Sequence, residues 1–124
     1  MRACLALLGA VVLVLCGCGG PKLTWQQKMN SSAGVERAQA VMTVDQKHMW
    51  SAIPQVIKRL EDDDVSVRLL AIGTLRDMTG NDLGYNAYAN EPERREAVAR
   101  WRSWWDTEGK AGPVKQGTAA GGKS

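Results

Sequence analysis

The sequence predicts an all-α fold, and three observations carry that expectation. Apolar residues recur at three- and four-residue steps through the middle of the 124-residue chain. No stretch alternates apolar and polar residues as a half-buried strand would. The residues that open and close helices (Asp64, Gly80, Pro92) stand where the periodic segments begin and end.

Val35, Ala38, Val41 and Met42 share one face of a short first helix. Met49, Trp50, Ile53, Val56, Ile57 and Leu60 then form an amphipathic stripe opposite Gln55, Lys58 and Arg59. Pro54 lies within that pattern and must either open the helix or kink it. The acidic run at 61–64 breaks the period, and Asp64 is a natural N-cap for the next helix. In that helix, predicted over 65–78, Val67, Leu70, Ala71, Thr74, Leu75 and Met78 make one apolar face. Leu69, Ile72 and Gly73 make a second, bordered by Arg68 and Arg76. Two apolar faces require neighbours on two sides. Gly73 costs about 1 kcal/mol against alanine in mid-helix and predicts a close helix crossing. Gly80 suits a C-cap, residues 81–91 read as a loop, and Pro92 opens a last helix to about residue 107. Its stripe is Ala97, Val98, Trp101, Trp104 and Trp105.

The flanks are different. After Arg2, residues 3–16 run without a charge, too short to span a bilayer but suited to the core of a signal peptide. That run ends Leu15-Cys16-Gly17-Cys18, which resembles the lipobox of bacterial lipoproteins. The resemblance implies cleavage after residue 17, lipidation of Cys18, and an extracytoplasmic address on a bacterial membrane. Gly19 stands where some bacteria place an aspartate to retain such proteins at the inner membrane, so the outer membrane is implied where those sorting rules hold. Cleavage would remove Cys4 and Cys16 and leave no thiol for a disulfide. Arg2 leaves with the leader, so 15 basic face 13 acidic side chains, a net charge of +2. Residues 18–32 read as a lipidated tether in which Trp25 packs on the domain, 33–108 as the folded unit, and 109–124 as a disordered tail too poor in apolar residues to order itself.

The stretch "IPQVIKRLEDDDVSVRLLAIGTL", residues 53–75, resembles one HEAT repeat, a pair of antiparallel helices. Pro54, Asp62, Val67 and Arg68 fall where the family places its first-helix proline, turn aspartate and Val-Arg pair. The segment through Trp105 is similar to small bacterial HEAT-type proteins with a "TG…GY…ERREAVARW" tail. The resemblance implies a short α-solenoid of helix pairs in which Asp62 and Arg68 are structural. The first helix would then be half of a degenerate unit, and the tryptophan-rich helix a cap. Solenoids usually need about three units to bury a continuous core.

A net charge of +3, with basic and acidic residues interleaved, gives no footprint for nucleic acid. The single histidine, His48, has no partners at catalytic or metal-ligand spacing and reads as a surface or capping residue. Residues 61–64 lack the alternating ligands and central glycine of a calcium loop. No phosphate-binding loop or nucleophile motif occurs, so no enzyme activity, cofactor or metal is expected. Function is expected instead at surface side chains. Tyr85, Tyr88, Trp104, Arg68 and Arg76 are candidates for binding a protein partner in the cell envelope. Alternatively Tyr85, Tyr88 and Trp104 stack on cell-wall glycan. Against either, the tyrosines fold over a core containing Trp101 and Trp105.

Overall fold

A computed structural model describes residues 19–113. The expected signal peptide, the expected lipid attachment at Cys18 and most of the expected tail (114–124) lie outside the described residues. Among the described residues five α-helices carry the fold: α1 (Trp25–Met29), α2 (Gly34–Gln46), α3 (Ile53–Arg59), α4 (Val65–Thr79) and α5 (Glu91–Thr107). Short 3₁₀ turns, Trp50–Ala52 and Gly109–Ala111, precede α3 and follow α5, and no strand occurs among the described residues.

Each boundary has a local cause. Thr24 and Gln27 form a capping box on α1. Asp64 accepts from the Ser66 N–H at the start of α4, and Gly80 closes it in the left-handed conformation. Pro54 opens α3 without kinking it, because its missing N–H falls in the first turn, where no helical partner exists. Asn90 caps α5 by accepting from the Glu93 N–H while its own amide donates to the Glu93 carboxylate. His48 ends α2 at a positive φ of 47°. The N–H groups of His48 and Met49 donate back to Asp45 and Val44, a pattern glycine usually serves.

Packing corrects the first helix and both flanks. α1 lies against α2 and buries Met29, while Trp25 packs on the core. Half of the expected tether is therefore part of the body. At the other end Gly109 is buried, and its carbonyl accepts from Trp50 Nε1 at 2.8 Å, so residues 109–113 are ordered. On α2 the buried residues are Arg37, Ala40, Val41 and Val44, while Val35 and Met42 are exposed. The buried face is thus rotated from the expected one, because an arginine occupies a core position.

α4 takes α2 on one side and α3 on the other, and α5 packs on α3. The second neighbour of α4 is therefore α2, where the sequence predicts the capping elements. Its second face is covered only in part: Ile72 is buried, yet Leu69 is 39% exposed. A Cβ on Gly73 would meet nothing within 4 Å, so among the described residues no helix crosses closely there. Gly73→Ala is accordingly expected to raise stability by about 0.5–1 kcal/mol, read as a higher urea midpoint at unchanged slope.

Candidate interaction surface

The polar centre of the molecule is the turn between α3 and α4. Asp62, with its side chain 1% exposed, receives Arg37 through Nε and Nη2, each at 2.8 Å, and Arg59 at 3.1 Å. Burial pushes the Asp62 carboxyl up, but the hydrogen bonds from Arg37 and the Asp64 N–H outweigh it and hold the group below its ordinary value. Asp62 is therefore structural, but its guanidinium partners are Arg37 and Arg59. Arg68 instead donates to the backbone carbonyls of Asp62 (2.7 Å), Asp63 (3.1 Å) and Ala87 (3.0 Å). Those bonds tie the turn to the 81–90 loop and hold Arg68 half-buried against it.

One arrangement recurs on three helices. Arg37, Arg68 and Arg94 each stand fourth in α2, α4 and α5. Each directs Nη1 at the carbonyl five residues before it: Ser32 at 2.9 Å, Asp63 at 3.1 Å and Ala89 at 2.6 Å. Three, four and seven residues after each arginine come the buried triplets Ala40-Val41-Val44, Ala71-Ile72-Leu75 and Ala97-Val98-Trp101. The signal was present in the sequence as Arg-x-x-Ala-(Val/Ile)-x-x-apolar, three times over. Hydrophobic periodicity missed it because its anchor is charged.

The two loop tyrosines separate completely. Tyr85 is 4% exposed, and its hydroxyl donates to the Leu60 carbonyl at 2.5 Å. Burial raises its phenol above the ordinary value. It is a core residue with no free face, contrary to its expected place on a binding surface. Tyr88 is 74% exposed. Tyr85→Phe would leave the Leu60 carbonyl without this donor and is expected to cost about 1–2 kcal/mol. Tyr88→Phe should stay within about 0.5 kcal/mol of the parent by thermal melting.

The loop itself is built from side-chain turns. Asn81, Asp82 and Asn86 each accept from the backbone N–H two residues on. Arg76 reaches Asp82 at 3.4 Å with both side chains about half exposed, which leaves it accessible. The Gly84 N–H first, and then Arg76, hold the Asp82 carboxyl below its ordinary value. Trp104 is half-buried, edge-on to Trp101 at 5.4 Å and to Trp50 at 6.1 Å. Val67 is buried, while Pro54 is exposed and lines a cavity of about 430 Å³ with Ile57, Arg102 and Trp105.

A cleft of about 350 Å³ gathers Glu61, Asp62, Asp63, Arg68, Glu91, Arg94 and Arg95, the last paired with Glu91. These charges largely neutralise one another. Of the expected surface set, Tyr88 and Arg76 are exposed and Trp104 and Arg68 are half-buried, while Tyr85 is buried. Arg68 and Tyr85 come together at the turn beside Asp62. Among the described residues no helix is long and apolar enough to cross a membrane, and no group of acidic, histidine or cysteine side chains is placed to hold a metal ion. Comparison with protein-family models, with curated proteins and with solved structures finds no match to this chain.

Proposed function

We propose that this chain is a bacterial lipoprotein whose lipidated Cys18 anchors a short HEAT-like solenoid, and that the solenoid binds a protein partner in the cell envelope. The thrice-repeated arginine, with its buried Ala-Val/Ile-apolar triplet, carries the solenoid reading. Repeating one supersecondary device along the chain is how stacked helical units share a continuous core. α1 with α2 and α3 with α4 would be two such units, and the 81–90 loop with α5 a third whose first helix has become a loop.

The lipobox supports the anchor, and the early start of α1 gives it a spatial meaning. Only five residues, 19–23, lie between Cys18 and the Thr24 cap. Fully extended they reach about 20 Å, so the body would work close against the membrane. Exposed Tyr88 and Arg76, with half-buried Trp104, supply aromatic and arginine side chains of the kind that anchor protein interfaces.

The test has two parts. Intact mass of the exported protein should lack residues 1–17 and carry acyl chains, and Cys18→Ala should leave the membrane fraction. Photo-crosslinkers at Tyr88 and Arg76 in living cells should then trap one defined protein. A product that retains Met1 defeats the anchor, and enrichment of peptidoglycan fragments at Tyr88 in place of a protein defeats the adaptor role.

A further inference from the structure

The groove between α2 and α4 combines features that intramolecular packing does not account for. Met42 and Asp45 of α2 face Leu69, Leu70, Gly73 and Asp77 of α4 around a cavity of about 240 Å³. Met42 is 44% and Leu69 39% exposed, and Val35, two turns before Met42 on the same face of α2, is 70% exposed. Three of the five large exposed apolar residues among those described thus lie on one side of the body. Isolated apolar side chains need no explanation on a protein surface, but a clustered set bordering a groove does.

Gly73 sharpens the point. It sits in the middle of α4, where glycine is unfavourable, and its missing Cβ relieves no contact among the described residues. What its absence provides is a bare stretch of helix backbone on the groove. Such a stretch lets a second helix approach more closely than side chains otherwise allow, since interaxial distance is set by the side chains at the contact. Charge defines the visitor further. Asp45 and Asp77 border the groove, neither carboxylate has an ion-pair or hydrogen-bond partner among the described residues, and no lysine or arginine lines it.

We infer that this groove receives an amphipathic helix of the partner protein. That helix carries an apolar stripe for Met42 and Leu69, a small residue where it crosses α4 at Gly73, and lysine or arginine on its flanks to meet Asp45 and Asp77. The inference rests on the adaptor reading and gives that partner its chemistry.

The experiment uses residues 19–124, which contain every buried core residue among those described, labelled with ¹⁵N. The probe is a synthetic 18-residue helix with a leucine stripe, a central glycine and flanking lysines; the control replaces each lysine by glutamate. Shifts centred on Met42, Leu69 and Gly73 are expected with the lysine peptide, with at least tenfold weaker binding of the glutamate peptide. Gly73→Leu should weaken the lysine peptide at least tenfold while the protein still melts cooperatively. Asp45→Lys with Asp77→Lys should reverse the preference between peptides.

Equal affinity for both peptides, no binding at millimolar peptide, or shifts centred elsewhere would overturn the inference. So would a tenfold gain in affinity on removing residues 114–124, which would make that segment the occupant. Groove resonances that move on diluting the protein alone would identify a second copy as the occupant and overturn it equally. In cells, a partner trapped from Tyr88 or Arg76 but never from Met42 or Leu69 would discard the groove and leave the adaptor standing. Failure to trap any protein from all four positions would discard both.

Discussion

Asp62→Ala is expected to cost about 3–5 kcal/mol of folding free energy, because it strands the Arg37 guanidinium in the core. Arg37 has its side chain 9% exposed, and Asp62 takes two of its hydrogen bonds. Asp63 still reaches Arg37 at 2.8 Å, but that carboxylate is 93% exposed and compensates little, which favours the lower end of the range. Replacing the pair together, Arg37→Met with Asp62→Leu, should cost clearly less than the sum of the single changes, since the Arg37 charge leaves with its partner and only Arg59 still loses Asp62. Urea unfolding of the four proteins closes this cycle. If the double variant is as unstable as the sum of the singles, the pair is not the polar centre of the fold.

The same carboxylate sets an acid limb. Its folded value lies below the ordinary one, so its contribution is fully present above the unfolded value of about 3.9 and is lost as the pH falls through the folded value. Stability of the parent should therefore fall on acidification below about pH 4 by more than that of the double variant. Melting curves between pH 7 and pH 2.5 separate the two.

Trp101→Ala is expected to be equally severe, at about 3–5 kcal/mol. Trp101 is fully buried and the largest residue in the core, and it supports Trp104 edge-on at 5.4 Å. Trp104 in turn stands against Trp50 and Trp105, so the cavity would loosen the aromatic cluster that holds the end of α5 near Gly109. Each kcal/mol lost corresponds to about 4–8 °C in a domain of this size, and near-ultraviolet circular dichroism should weaken with the melting point. Trp101→Phe is expected to be much milder. Indole Nε1 is buried without a hydrogen-bond partner among the described residues, so removing it forfeits no bond and offsets part of the lost volume.

These two residues illustrate what could be read in advance. Trp101 stood in the expected stripe of α5, because aromatic residues at helical spacing announce burial by their size and period. Arg37 did not, because a buried cation is invisible to a hydrophobic pattern until its carboxylate is located. Tyr85 and Tyr88, three residues apart in one loop, could not be told apart by composition. Their separation depends on backbone turns set by Asn81, Asp82 and Asn86, and on a carbonyl at Leu60 that is distant in sequence.

By itself the sequence determined the helical class, the caps at Asp64 and Gly80 and the burial of Val67, Leu75 and Val98, all of which follow from local stereochemistry and period; that Pro54 opens α3 and does not kink it was settled by the structure. Only the tertiary structure decided which face of α2 is inside, that α1 belongs to the body, that Arg68 braces the loop, and that Gly73 lies open on a groove. The reason is physical: a helix's period specifies that it has a buried side, whereas the partner chosen for that side depends on contacts between residues far apart in the chain.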